Sequence, residues 1–333
     1  MIFMSTDQVL ALLRQAGDQY VSGEKMSEEL GVSRAAVWKD IEALRQEGYQ
    51  IDSVTRRGYR LVSGPNSLTR GEILPWLRSQ ESKDRLIVLD TVDSTNTYAK
   101  KLGMEKGLDG TAVVANEQTG GKGRKGRSFL SPKDSGIYLS LLYRPSIPPA
   151  RALNLTAYVA VAICDGIEAA CGVRPGIKWT NDIVLGGKKL AGILTEMSVE
   201  GETGTLQYIV TGIGVNVLQK KEDFPPELQS VATSLAIELG EPVNRGRLAA
   251  EMINALETMY HTWLTGGGNY WQKYHDSCLT LGKEVRLIGT KGERTAFAEG
   301  LDPDFGLIVR YPDGSVETIT AGDVSVRGLE GYL

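Results

Sequence analysis

The spacing of apolar residues changes twice along this chain, and no single layer of one element type satisfies it. Up to about Ser63 the spacing is helical and ends in a short alternating pair of runs. From there to about Cys278, strand-like and helix-like runs are interspersed, and beyond Leu281 only short alternating runs remain. At 333 residues the chain is long enough for more than one hydrophobic core. Three domains are expected, over residues 1–64, 67–278 and 279–333, with a linker around Ser63 to Ser67. The fold class is α+β.

In the first segment, "TDQVLALLRQAGDQYVSG" sets Val9, Leu10, Leu12, Leu13 and Ala16 at helical spacing and stops at Gly17. "EKMSEELGVSRAAVWKDIEALRQEGY" follows with a short helix ending near Leu30, a tight turn through Gly31, and a second helix capped by Ser33. Val37, Ile41 and Leu44 form the inner face of that second helix. Two short helices across a glycine turn are the helix-turn-helix pattern. "YQIDSVTRRGYRLV" then reads as a hairpin with a basic tip at Arg56, Arg57 and Gly58, which makes the segment a winged helix. Ser33, Arg34 and Lys39 lie near the helix end that would enter a major groove, and Arg56 and Arg57 are within reach of phosphate, so all five are candidates for DNA binding. A protein-protein module is the competing reading, because the segment's acids and bases roughly balance.

The central segment reads as strand "LIVLDTV", helix "STNTYAKKLG", strand "TAVVANEQ", a glycine-rich loop, strand "GIYLSLLYR", a long helix, then strands "GIKWTNDIVL", "KLAGILTEMS" and "LQYIVTGIGVNV", with helices to Tyr274. A largely antiparallel or mixed sheet fits this better than a doubly wound parallel one. The long apolar stretch Leu153 to Cys171 is broken by Asn154, Thr156, Asp165 and Glu168, so it reads as a buried helix and no membrane partner is expected. The start "MIFMSTDQVL" lacks a secretory pattern, which makes a cytoplasmic location the expectation. The last segment, with Asp313 and Gly314 as a tight turn between alternating strands, is expected to be a small β-barrel.

Two histidines, His261 and His275, and three cysteines without a CxxC pair argue against a Cys/His zinc site or a histidine-based triad. No metal held by the protein itself is expected. Chemistry is left to lysine, arginine, carboxylates and backbone. A net charge of −4 argues against a protein coated in nucleic acid. Against that background "TGGKGRKGR", Thr119 to Arg127, sets four glycines among Lys122, Arg124, Lys125 and Arg127 with no acid. A packed core has no use for it, whereas backbone N–H groups and cations together suit phosphate or carboxylate. It is neither a P-loop nor a dinucleotide-binding fingerprint. "KWTNDIVLGGKKLAGIL" places Lys178, Asn181 and Asp182 at the end of one strand and Lys188 and Lys189 just before the next, across a Gly186-Gly187 turn. In "DSTNTYAK", Ser94, Thr95 and Asn96 stand where a helix wants its N-cap, so capping alone accounts for them.

Taken in order, "DSTN", "EQTGGKGRKGR", "KWTND", "GKKLAGIL" and "GIGVN" resemble biotin protein ligases, and with the winged helix in front the whole chain resembles the bifunctional type that is also the biotin operon repressor. Lys122 stands where arginine is frequent, and Thr180 where proline is usual. The resemblance implies a catalytic sheet domain of the class II synthetase and biotin ligase kind, followed by an SH3-like domain. It implies that biotin and ATP give biotinyl-5′-adenylate and pyrophosphate, with Mg²⁺ accompanying ATP, and that biotin passes to a lysine of a biotin carboxyl carrier domain. It assigns biotin to Ser94, Thr95, Asn96, Gln118, Lys122, Gly123, Arg124 and Lys189. It assigns the nucleotide to Arg127, Asn216 and Lys178, and catalysis to Lys189, Arg124 and Asp182. It further implies a homodimer formed with the adenylate bound, probing operator DNA with two winged helices. A biotin-sensing regulator without catalysis is the alternative, and a lipoate ligase the third reading.

Overall fold

The computed structural model describes residues 5–289, 292–320 and 324–328. The N-terminal unit holds α1 (Ser5–Ala16), α2 (Gly23–Leu30), α3 (Arg34–Gln46), β1 (Gln50–Val54) and β2 (Gly58–Ser63). Local chemistry fixes the turn between its helices. The Ser22 side chain accepts from Lys25 N, Gly31 ends α2 at φ +66°, and Ser33 Oγ accepts from Ala36 N at 3.2 Å to start α3. Val9, Leu10, Leu13, Met26, Val37, Ile41 and Leu44 bury against one another as the unit's core. β1 and β2 pair antiparallel, and Arg56, in the left-handed region at φ +64°, turns the tip between them.

The central unit begins with two short helices, α4 (Arg70–Ile73) and α5 (Gln80–Asp84), and continues through β3 (Leu86–Val92), α6 (Thr95–Met104), β4 (Thr111–Gln118) and β5 (Gly136–Tyr143). Next come α7 (Leu155–Cys171), β6 (Gly176–Lys178), β7 (Asp182–Leu185), β8 (Lys188–Val199) and β9 (Leu206–Asn216). Helices α8 (Leu235–Leu239), α9 (Arg245–Thr265) and α10 (Tyr270–Ser277) close it. Seven strands form one sheet in the order β3-β4-β5-β9-β8-β7-β6, parallel at β3-β4 and antiparallel elsewhere. The mixed sheet expected from the sequence is therefore present.

One expected strand is two. "GIKWTNDIVL" breaks after Lys178 into the hairpin β6-β7, whose connection contains a cis Trp179–Thr180 peptide. Polar side chains at Thr180 and Asn181 interrupt what would otherwise be a continuous apolar strand.

Helices sort by face. Ala99 of α6 packs with Val113, Leu142 and Val210 on one side of the sheet, and α7 and α9 cover the other. By length and composition alone, Pro149–Cys171 could cross a bilayer. Instead Val159 to Cys164 lie buried between sheet and α9, which makes it the central core helix. Burial pushes the thiol of Cys164 up to about 12 and that of Cys171 up to about 11, so both act as small packing residues.

The C-terminal unit is a sheet of five antiparallel strands, β10 (Glu284–Gly289), β11 (Gly292–Leu301), β12 (Leu307–Arg310), β13 (Val316–Ile319) and β14 (Val324–Gly328), ordered β13-β12-β11-β10-β14. Among the described residues β13 and β14 are not paired with each other. Two indoles tie this unit to the central one, Trp179 Nε1 donating to Phe305 O at 2.8 Å and Trp271 Nε1 to Asp302 O at 2.8 Å.

Candidate active site

A cleft open to solvent at its mouth lies between the N-terminus of α6, the glycine-rich segment after β4, and strands β8 and β9. Ser94, Thr95, Asn96, Gln118, Lys122, Gly123, Arg124 and Lys189 all line it, together with Phe129, Asn181 and residues 192–194 and 212–214. Side chains scattered over a hundred residues of sequence thus meet in one cavity.

The floor is a buried polar chain. Gln118 Oε1 accepts from Thr95 N at 2.9 Å and from Thr95 Oγ1 at 3.0 Å, and Gln118 Nε2 donates to Ser131 Oγ at 2.9 Å. Ser140 Oγ lies 2.7 Å from Thr95 Oγ1 and 2.6 Å from Asn96 Oδ1, while Asn96 Nδ2 donates to Glu196 Oε2 at 2.9 Å and to Leu194 O. Ser94 makes no capping bond to its own helix. Capping therefore does not account for the "STN" triplet, whose side chains face inward to one another and to the cleft. A network with this many members held by one another keeps its geometry without ligand.

Glycines on β9 make room for it. A Cβ on Gly212 would lie 2.0 Å from Asn96 Oδ1, and one on Gly214 would lie 2.5 Å from the Phe129 ring. The "GIGVN" motif is thus a spacing requirement: every second residue of the strand must be bare for α6 and the loop to approach.

Cations form the roof. The glycine-rich segment folds back on itself, with Gly123 N donating to Arg127 O at 2.7 Å and Phe129 N to Gly121 O at 2.9 Å. Its turn places Lys125 at φ +56° and Gly126 at φ +75°. Arg124 reaches across to Asn181 Oδ1 at 2.8 Å and Thr180 Oγ1 at 3.3 Å. Burial pulls its guanidinium below the ordinary value; Asp182 opposes this and Arg127 adds to it. Lys189, at the start of β8, donates to Asp182 Oδ1 at 2.6 Å across the β7-β8 hairpin. Lys122 Nζ rests on Thr97 Oγ1 at 2.8 Å.

Three sequence patterns match this chain. The Biotin/lipoate A/B protein ligase family covers residues 88–216, an HTH domain covers 6–60, and the Biotin protein ligase C terminal domain covers 280–327. The Bifunctional ligase/repressor BirA of Bacillus spizizenii is 38% identical over 322 residues, 96% of this chain and 97% of that protein. The chain belongs to the bifunctional biotin ligase/repressor family. The BirA of Escherichia coli is 31% identical over 328 residues, covering 97% of each chain. Among solved structures, the biotin protein ligase of Aquifex aeolicus in complex with biotin and ATP has a TM-score of 0.62 at 29% identity, covering 73% of this chain and 99% of that one.

Other candidates of this ligase/repressor lie outside the cleft lining. Asp182 stands behind Lys189, as its ion-pair partner. Lys178 is buried at the end of β6, in register with Asp182. Arg127 is exposed on the loop. Asn216 is buried, with Nδ2 donating to Thr233 O at 3.0 Å. In the winged helix, Ser33 caps α3, Arg34 and Lys39 are exposed on it, and Arg56 and Arg57 are exposed at the hairpin tip, Arg57 4.5 Å over the Tyr20 ring. Sequence reasoning missed Phe129, Ser131, Ser140 and Glu196. None carries a motif, and the signal that they matter is contact with Asn96, Gln118 or Gly214.

Proposed function

We propose that this cleft joins the carboxylate of biotin to the α-phosphate of ATP and then passes biotin to a lysine of a carrier domain, while the winged helix makes the same chain a repressor. The observation that carries the reading is the convergence of Arg124 and Lys189 on one cleft floored by Ser94, Thr95 and Gln118. A neutral ureido ring needs fixed hydrogen-bonding groups in a largely apolar pocket, and the floor provides them. Asn96, with both amide hydrogens committed, orients that floor.

In the first half-reaction a carboxylate oxygen forms a bond to the α-phosphorus as the bond to the bridging β-oxygen breaks, releasing pyrophosphate. Two anions must approach, and a positive charge at about 4 Å offsets roughly 4 kcal/mol of that repulsion at an effective dielectric near 20. Arg124, Lys122 and Lys189 supply the cations, and Arg127, Lys178 and Asn216 serve the nucleotide. In the second, a carrier amine attacks the acyl carbon, the bond to AMP breaks, and the amine loses one proton. Lys189 stabilises the departing phosphate. The loop from Thr119 to Arg127 tightens over the adenylate, shielding a hydrolysable anhydride.

Mg²⁺ enters bound to the triphosphate, where it offsets phosphate charge. The described residues include no cluster of three metal-ligating side chains, and Asp182 is the carboxylate beside Lys189 able to add one ligand. Binding of the adenylate favours a homodimer through pairing of sheet edges, which sets two winged helices on a palindromic operator. Supporting this, β7 pairs with β8 only from Lys188 to Gly192, and, among the described residues, 194–199 have no strand neighbour on that side.

A sensor without catalysis is disfavoured because it has no use for a lysine poised against developing phosphate charge. The deciding experiment is incubation with biotin, ATP, Mg²⁺ and an acceptor carrier domain, followed by intact mass. One biotin is added to the acceptor; an unmodified acceptor sinks the ligase reading.

A further inference from the structure

Trp38 is 55% exposed on α3 and, among the described residues, is not part of the hydrophobic cluster of the N-terminal unit. The helix splits cleanly into two faces. Val37, Asp40, Ile41 and Leu44 point inward and are buried, whereas Arg34, Ala35, Trp38 and Lys39 form an exposed stripe at one-turn spacing over its first two turns. The next residue on that face, Glu42, is held by Arg45 at 2.6 Å, so the stripe carries two cations and no unpaired acid. A large apolar ring in water between two positive charges is a poor solvated surface, and it suits a partner that is anionic at its rim and apolar at its centre. Duplex DNA has that pattern: phosphates border a major groove wide enough for a helix, and the apolar feature on the groove floor is the thymine C5-methyl group.

We propose that Trp38 is a base-reading residue of α3 whose indole packs on thymine methyl groups, so that the repressor prefers A·T pairs at that point of each half-site. This rests on the repressor reading of the winged helix and deepens it. Arg34 and Lys39 beside it, and Arg56 and Arg57 on the hairpin tip, hold phosphate and carry no sequence information.

The test uses the full chain loaded with biotin, ATP and Mg²⁺. A duplex is selected from a random-sequence pool, and its thymines are then replaced one at a time by uracil, which lacks only the methyl. At one or more positions uracil weakens wild-type binding by about fourfold, the factor expected for one buried carbon group. Trp38→Ala binds the selected duplex about tenfold more weakly or worse and no longer distinguishes thymine from uracil there. Its thermal unfolding, its biotin transfer to an acceptor and its affinity for an unrelated duplex match wild type. Trp38→Phe retains part of the methyl effect. The proposal is overturned if wild type ignores uracil at every position, or if Trp38→Ala keeps the full discrimination. A pool yielding no enriched duplex overturns the repressor reading and this proposal together, an outcome distinct from enrichment without a methyl effect.

Discussion

Lys189 and Asp182 face each other across a two-strand hairpin at 2.6 Å, and a lysine held by one carboxylate can exchange it for phosphate oxygen without moving its backbone. That exchange is why the pair belongs in the reaction rather than in stability alone. Lys189→Ala is expected to lower kcat about 10²- to 10³-fold, as loss of one preorganised charge does elsewhere, with thermal unfolding little changed because the pair is partly solvated. Adenylate formation followed by pyrophosphate release tests it; a loss below threefold removes Lys189 from the mechanism. Gly212 makes a different kind of contribution. A methyl there would displace Asn96, which anchors Ser140 and Glu196. Gly212→Ala is therefore expected to raise KM for biotin roughly tenfold, about one lost hydrogen bond's worth, and equal KM values would show that Asn96 does not order the floor.

At the scale of elements, the loop from Thr119 to Ser131 carries the cations on a frame held by few backbone bonds. Residues 125–128 are exposed at its tip. Cleavage by trypsin after Lys122, Arg124, Lys125 or Arg127 is expected to slow at least fivefold when biotin and ATP are both present, and equal rates would mean that the loop does not close. The unpaired stretch of β8 makes its own prediction. Met197, 41% exposed there, is a position where proline would break an edge ladder. Met197→Pro should abolish adenylate-induced dimers in sedimentation velocity while leaving adenylate synthesis measurable.

These elements differ in how far the sequence revealed them. The cap at Ser33, the turn at Gly31 and the apolar strand runs of β4, β5 and β9 rest on local rules, so they were legible. The β6-β7 hairpin was not, because its turn, Trp179 to Asn181, contains none of the glycine or proline that marks such turns. The cleft was legible at its cations, whereas its "STN" triplet read as an ordinary helix cap and was assigned to the site only through the family resemblance. Ser140, Glu196 and Phe129 escaped notice because their meaning lies in contacts between strands distant in sequence.

For the whole molecule, the operator-spanning dimer proposed above needs its winged helix held at a fixed angle to the ligase unit. Two sets of contacts contribute to this. Arg245, fully buried at the start of α9, donates to Asn66 O in the linker at 2.9 Å and to Gly136 O of β5 at 3.0 Å, and its own N–H donates to Asn66 Oδ1. Arg14 of α1 then makes a two-bond contact to Glu72 of α4, Nε to Oε2 at 2.8 Å and Nη2 to Oε1 at 2.7 Å, with the Glu72 side chain only 3% exposed. Removing one partner of a buried pair strands the other charge, at about 3–5 kcal/mol when burial is complete. Because the Arg14 side chain is 22% exposed, roughly 1–3 kcal/mol is the fair expectation here. Arg14→Ala should lower the urea midpoint accordingly, and Arg14→Lys should recover only part, since an ammonium cannot match the carboxylate at two points. Adding Glu72→Gln to Arg14→Ala removes the stranded charge and should restore much of the loss. Biotin KM stays at wild type in all three, while operator affinity falls with the midpoint. A double-mutant cycle with no coupling between the two positions would show that the Arg14–Glu72 pair does not hold the winged helix in place.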